Sequence, residues 1–191
     1  GNEIFTSRLE KLFTESSEIT GDNVSADITG LIGQYAHGNE PSHHIAYMFN
    51  HANQPWCTQY WARHIMDTQY NTTPNGLSGN EDCGQMSAWY VLSSIGLYPM
   101  NPASGEYEIG SPIFEKSTIK LPENKTFMIE AEYVSHTNFY IQSATLNGKP
   151  FTKTTLSHQD ILKGGTLHFV MGNKPNKNWG IKNKAQQLTK K

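Results

Sequence analysis

The spacing of apolar residues changes near residue 98. Before that point apolar residues recur every three or four positions, which predicts amphipathic helices. One face of residues 4–13 is apolar and predicts the first helix, while residues 84–96 are apolar on most sides and predict a buried fourth helix. Proline is favoured in the first turn of a helix, so Pro41 and Pro55 predict the starts of the second and third helices.

After residue 98 apolar and polar positions alternate, which is typical of half-buried β-strands. Asn147 and Gly148 form a dipeptide that strongly favours a tight hairpin. Residues 156–162 predict a short turn or helix between strands, and the chain beyond Asn173 is predicted to be loose. Strands are predicted at 117–121, 126–133, 139–146 and 166–172.

These patterns predict an α+β protein with three parts. Residues 1–98 form a helical part, residues 99–180 form a small antiparallel β region, and residues 181–191 form a basic tail that is predicted to be disordered. The unusual polar residues of the helical part lie in loops just before helices. Helical barrels carry their chemistry in such loops, and an open half-barrel would leave apolar helix faces without partners.

Composition excludes several classes of protein. Aromatic residues make up 11% of the 191 residues, which is too many for a disordered chain. No apolar run reaches the roughly 18 residues that span a bilayer. The 15 basic and 17 acidic side chains give no basic face, since the lysines concentrate at the end of the chain, and nucleic-acid binding has weak support. Cys57 and Cys83 predict either a single disulfide or two small buried side chains.

The first candidate site is the run His37-Gly-Asn-Glu-Pro-Ser-His43-His44. One interpretation is a helix start with Asn39 or Glu40 near the cap, and the histidines are then ordinary polar residues. The other is a binding site, because a carboxylate, an amide and imidazoles lie within a few residues. No zinc ligand spacing is present, and the oxygen ligands suit calcium better.

The second candidate site is the run from Gly79 to Gln85, which holds Asn80 and the adjacent carboxylates Glu81 and Asp82. Acidic side chains at a helix N-terminus are favoured by the helix dipole, so capping is one interpretation. The other is a general base or cation ligand, since glycosidic hydrolysis needs two carboxyl groups across the scissile bond. Cys83 is a poor candidate nucleophile because nothing local lowers its pKa.

Long motifs in this order resemble glycoside hydrolase family 92. The segments GNEPSHH at 38–44, GNEDCGQMSAWY at 79–90 and GLYPMNP at 96–102 carry the resemblance, which extends over residues 1 to about 180. The family comprises bacterial, calcium-dependent, inverting exo-α-mannosidases. The resemblance implies the last helices of an (α/α)6 barrel followed by a terminal β region.

The resemblance also implies roles for individual residues. Asp82 matches the general base, and Asn80 stands where some members of the family carry a second acid. Glu40 matches a carboxylate that faces the terminal mannose and the calcium ion, with Asn39 as a further calcium ligand. His43, His44 and Glu81 are expected to line or brace the sugar pocket.

The family's general acid has no match in this chain and is expected to lie upstream. The chain is therefore interpreted as the C-terminal portion of an exo-α-mannosidase, with α-1,2 linkages of glycans as the expected substrate. We expect it to be inactive alone, to need the rest of the parent chain as its partner, and to be periplasmic, cell-surface or secreted in a bacterium. Two alternatives are a non-catalytic carbohydrate-binding module whose β region does the binding, and a calcium-stabilised structural domain.

Overall fold

The computed structural model describes residues 1–22 and 28–181. The predicted disorder of the basic tail concerns residues 182–191, which lie outside the described residues. Within the described part, the longer helices precede residue 98 and most of the strands follow it. The (α/α)6 barrel remains a prediction, since its other helices would belong to the remainder of the parent protein.

Three of the four predicted helices form as α-helices. α1 buries Leu9 and Phe13 on the predicted apolar face, and α2 begins at Pro55 as its sequence predicts. The predicted buried fourth helix, α3, is buried on one face only, since it buries Met86 and Trp89 but leaves Val91 58% exposed. A further short α-helix, α4, lies between β9 (Thr155–Ser157) and β10 (Gly165–Gly172). The α-helices are α1 (Asn2–Thr14), α2 (Pro55–Gln69), α3 (Gln85–Ser94) and α4 (His158–Leu162).

The predicted second α-helix is instead a pair of 3-10 helices, Glu40–Ser42 and Ile45–Asn50. Their backbone bonds span three residues: the His43 N–H donates to the Glu40 carbonyl at 3.0 Å, and the Tyr47 N–H donates to the His44 carbonyl at 3.0 Å. The buried His43 side chain is tied to an earlier loop, which fixes the chain between the two short helices. Tertiary contacts therefore override the local α-helical spacing.

The described strands form three sheets. β1 pairs with β2, β3–β4–β9 form a second sheet, and a five-stranded sheet has the order β5–β6–β10–β7–β8. The four strands predicted from alternation correspond to β5, β6, β7 and β10. The strands are β1 (Leu31–Ile32), β2 (Tyr35–Ala36), β3 (Leu97–Tyr98), β4 (Glu106–Ile109), β5 (Lys116–Lys120), β6 (Thr126–Glu132), β7 (Tyr140–Leu146), β8 (Lys149–Pro150), β9 (Thr155–Ser157) and β10 (Gly165–Gly172).

The large sheet is not wholly antiparallel, which corrects the prediction. β10 lies between β6 and β7. It runs parallel to β6 and antiparallel to β7. After β8 the chain crosses to the other sheet as β9, turns through α4 and returns, and such a crossover is what a parallel pair requires. The hairpin between β7 and β8 forms as predicted: Asn147 and Gly148 both have positive φ, at 51° and 75°, as in a type I′ turn.

Two apolar clusters fill the described structure. One packs the helices around aromatic side chains such as Phe13, Phe49 and Trp89. The other lies between the sheets and includes Phe169. Trp179 joins this second cluster at 5% exposure, and its Nε1 donates to the Phe151 carbonyl at 3.1 Å. The chain between 173 and 181 is thus anchored there, which corrects the expectation of a loose end.

Buried polar side chains connect the helical part to the strands. On α2, the Gln59 Oε1 accepts from the Ile141 N–H at 2.9 Å, and the Arg63 guanidinium donates to the carbonyls of Pro112 at 2.9 Å and Ser135 at 2.6 Å. Asn50 donates to the buried Glu108 carboxylate at 2.8 Å. The bonds from Gln59 and Arg63 fix the orientation of α2 against the strand region, and the bond from Asn50 ties the preceding 3-10 helix to β4.

Candidate active site

The two acidic loops meet at one hollow of about 320 Å³. Four of the seven predicted site residues line it: the carboxylates of Glu40 and Asp82 and the amides of Asn39 and Asn80. The interpretation of the two loops as one sugar site depends on this shared hollow, because side chains that turned away from each other could not share a ligand. The lining residues are Thr29, Gly38, Asn39, Glu40, Gly79, Asn80 and Asp82.

Glu40 enters the hollow from the loop that follows the β1–β2 hairpin. The His37 N–H donates to the Gly30 carbonyl at 3.0 Å and the Gly38 N–H donates to the Thr29 carbonyl at 3.2 Å, so the hairpin pairing continues to the edge of the hollow. The Oε1 of Glu40 is buried and has no hydrogen-bond partner among the described residues. Buried polar atoms are nearly always satisfied, so this oxygen is a candidate for binding a ligand.

Asp82 enters the hollow from a left-handed turn. Its φ is 44°, and Cys83 and Gly84 follow with φ of 58° and 88°. A non-glycine residue in this conformation costs about 1–2 kcal/mol, and such strain collects at functional sites. The turn leads directly into α3 and leaves Cys83 exposed as a free thiol, as Cys57 is also free, so the predictions of a disulfide or of two buried cysteines are wrong.

Glu81 points to a different place from Asp82. Its carboxylate accepts from the Ser87 N–H at 3.0 Å and from the Ser87 hydroxyl at 2.8 Å, so it caps the first turn of α3. It also lines a separate hollow of about 550 Å³ with Tyr70 and Tyr90. The capping interpretation of the acidic pair therefore fits Glu81, while the site interpretation fits Asp82.

A buried imidazole pair lies behind the hollow. His37 is fully buried between two tyrosines: the Tyr35 hydroxyl lies 2.8 Å from its Nδ1 and the Tyr70 hydroxyl lies 2.6 Å from its Nε2. The Tyr70 hydroxyl donates to the Met86 carbonyl, so it accepts from Nε2–H of His37. Burial lowers the pKa of His37 to about 3, with the stacked His43 ring adding to the effect.

His43 braces the site and does not line the hollow. Its Nε2 donates to the His37 carbonyl at 3.0 Å, and its Nδ1 accepts from the Gln85 amide at 3.1 Å. Burial lowers the pKa of His43, although the bond to the His37 carbonyl works in the opposite direction. Because Nε2 donates and Nδ1 accepts, the ring takes part as neutral imidazole and links the end of one acidic loop to the start of α3. His44 is half-buried and also lies outside the hollow's lining.

Some residues of the site were not predicted to have a role. Gln85, Gly38 and Gly79 belong to the quoted motifs, and the sequence Gly-Asn-Glu occurs at both 38–40 and 79–81. The two runs are not equivalent in the structure, because Glu40 lines the hollow while Glu81 binds Ser87 outside it. Thr29 carries no signal in the sequence, because it reaches the hollow only through the folding of its loop.

The donor atoms of the hollow suit a hard cation. Carboxylate and amide oxygens surround it, and one carboxylate oxygen of Glu40 has no partner within residues 1–22 and 28–181. No group of three or more His, Cys, Asp or Glu side chains able to hold a metal occurs among the described residues. Calcium takes about six to eight oxygen ligands, so the fit needs further oxygens from a ligand, water or other parts of the protein.

Comparison with known proteins identifies the family. The sequence profile of the glycosyl hydrolase family 92 catalytic domain matches residues 1–173. The chain belongs to glycosyl hydrolase family 92. Among solved family 92 structures, the α-mannosidase BT3965 from Bacteroides thetaiotaomicron is 43% identical, with a TM-score of 0.86 over 95% of this chain. The inverting mannosidase BT2199 from the same organism is 39% identical, with a TM-score of 0.81 over 95% of this chain.

A curated relative extends the comparison to another organism. An uncharacterized secreted glycosidase from Arthroderma benhamiae is 37% identical over 146 residues, which is 75% of this chain. This family 92 chain spans 19% of that relative, and 23% and 26% of the two Bacteroides proteins. It therefore corresponds to about a quarter of the solved relatives. In the described ranges, no helix is long and apolar enough to cross a membrane.

Proposed function

We propose that this chain is the C-terminal portion of an exo-α-mannosidase that hydrolyses α-mannosidic bonds of glycans, with α-1,2 linkages as its preferred substrate. The observation that carries the proposal is the shared hollow lined by Glu40 and Asp82. Membership of family 92 supports the substrate class, because the two solved relatives are described as mannosidases.

Asp82 acts as the general base in this proposal. Its carboxylate is exposed at the hollow and is not engaged in capping, unlike its neighbour Glu81, so it is free to take a proton from water. An inverting enzyme holds its acid and base about 6.5–9.5 Å apart with that water between them. The general acid comes from the remainder of the parent protein, and Asn80 helps to orient the water beside Asp82.

Glu40 and Asn39 hold the sugar side of the site. The unpartnered Oε1 of Glu40 accepts from a sugar hydroxyl or binds a cation, and either satisfies an otherwise costly buried oxygen. Asn39 and Glu40 would be the calcium ligands from this chain. Bound calcium would orient and polarise the mannose hydroxyls. His43 braces the loop and Glu81 caps α3. His44 lies outside the hollow and has no direct role at the sugar.

The proposed substrate, a glycan, also indicates the cellular location of the protein. We propose that the protein is secreted, periplasmic or attached to the surface of a bacterial cell, where glycans are found. The secreted glycosidase among its relatives supports this. Cell fractionation followed by detection of the protein tests it, and a purely cytosolic protein would contradict it.

Kinetics of the full-length protein test the assignment of Asp82. Asp82→Asn keeps the size of the side chain but removes the base, so kcat on an aryl α-mannoside should fall by about 10²–10⁴-fold with an unchanged melting temperature. Glu123→Gln changes an exposed carboxylate on the β region and serves as the matched control. NMR should detect β-mannose as the first product. A near-normal rate for Asp82→Asn would reject the role.

A further inference from the structure

Two glycines bring the acidic loops into direct backbone contact. A Cβ atom built on Gly79 would lie 2.5 Å from the Gly38 carbonyl oxygen and 2.9 Å from the Gly38 Cα. A Cβ on Gly38 would lie 2.1 Å from the Thr29 hydroxyl and 2.5 Å from the Ser78 carbonyl oxygen. Neither glycine has the left-handed φ that favours glycine, so what requires glycine here is space alone.

A second link joins the same two loops further along. The Gln85 amide donates to the Nδ1 of His43 at 3.1 Å. Because the His43 Nε2 also donates to the His37 carbonyl, and the Trp89 Nε1 donates to the His43 carbonyl at 3.1 Å, this histidine is held from three sides. The His43 side of this link is buried, while Gln85 is half-buried.

Both proposed site carboxylates lie between these two links. Glu40 stands two residues after Gly38 and three before His43, and Asp82 stands three residues after Gly79 and three before Gln85. Consecutive Cα atoms are about 3.8 Å apart, so each of these Cα atoms lies within about 11 Å, along the chain, of a link on either side. The two links therefore limit how far the carboxylates can move relative to each other.

We propose that Gly38, Gly79, His43 and Gln85 are positioning residues, forming a frame that fixes where Asp82 stands relative to Glu40. The catalytic consequence rests on the proposed function: Glu40 holds the sugar, and the frame brings the base Asp82 to the correct distance from it. Displacing a reacting group by about 1 Å can cost about 100-fold in rate, so a frame of this kind has a measurable effect.

One variant at each link tests the frame in the full-length protein. Gly79→Ala forces the two backbones apart, and Gln85→Asn shortens the amide so that it no longer reaches His43. We expect kcat to fall by about 100-fold for Gly79→Ala and by about tenfold for Gln85→Asn, each with a smaller change in KM. Gly172→Ala is the matched control, because the atoms nearest its Cβ belong to the Gln142 side chain on the large sheet and not to the acidic loops, and its kcat should stay within about twofold.

A crystal structure of each variant provides a readout that does not depend on activity. The Cα separation of Glu40 and Asp82 should differ from that of the unmodified protein in Gly79→Ala and Gln85→Asn, and should match it in Gly172→Ala. Unchanged separation, or wild-type kcat in Gln85→Asn, would overturn the frame. If Gly79→Ala does not fold, Gln85→Asn decides the question. Full activity in Asp82→Asn would reject the proposed function, while the separations would still test the frame.

Discussion

Acid should destabilise this protein through one fully buried histidine. His37 lies between the hydroxyls of Tyr35 and Tyr70, and burial lowers its pKa to about 3. In the unfolded chain a histidine has a pKa of about 6.5. As the pH falls below that value, the unfolded state binds a proton at His37 and the folded state does not, so the free energy of unfolding decreases.

The size of the effect follows from the two pKa values. Each unit of pH between them costs about 1.4 kcal/mol once the unfolded histidine is protonated. Between about pH 7.5 and pH 5 the loss from His37 is therefore about 2 kcal/mol, and it stops growing near the folded pKa of about 3.

Urea denaturation followed by tryptophan fluorescence at both pH values measures the loss. His37→Gln should lower stability overall but reduce its dependence on pH by about 2 kcal/mol relative to the unmodified chain. His136→Gln removes an exposed histidine and should leave that dependence unchanged. NMR should show no titration of the His37 ring above about pH 4. An identical pH dependence in His37→Gln, or titration near pH 6, would refute the reasoning.

Three further predictions concern the two parts of the chain. Arg63→Met removes two charge-assisted bonds to the carbonyls of Pro112 and Ser135, so the free energy of unfolding measured in urea should fall by about 3 kcal/mol. A fall of less than about 1 kcal/mol would contradict the role of this buried connection. Gly148→Ala meets no atom within 4 Å but has a φ of 75°, so its free energy of unfolding should fall by only about 1 kcal/mol. The isolated chain should not turn over an aryl α-mannoside, and turnover by a preparation free of host enzyme would show that the general acid lies within it.

Local signals in the sequence were reliable where the structure they specify is local. Pro55 begins α2, and the Asn147-Gly148 dipeptide forms the predicted hairpin, because both depend on backbone angles within a few residues. The parallel pairing of β6 with β10 could not be predicted in this way. It joins residues about forty positions apart and depends on a crossover through the second sheet, which alternation of apolar residues does not encode.

The end of the chain shows how a single residue can outweigh composition. Residues 173–181 are mostly polar and contain two lysines, one proline and three asparagines, which predicts a loose segment. Trp179 nevertheless buries its ring in the sheet cluster and donates to the Phe151 carbonyl. A tryptophan side chain buries a large apolar area, about 150–250 Å² for aromatic residues, which offsets the entropy of ordering the few residues around it.

The candidate site shows most clearly what the sequence leaves open. Glu81 and Asp82 are adjacent, equally acidic and both close to a helix start, so neither spacing nor charge can say which of them caps and which faces the hollow. The left-handed backbone at Asp82 and Cys83 turns the two carboxylates in different directions, one toward Ser87 on α3 and the other toward the loop of Glu40. That turn persists because α3, anchored by the buried Trp89, holds one end of the loop, and because Gly79 against Gly38 holds the other. The packed structure therefore determines that Glu81 caps α3 and that Asp82 faces the hollow.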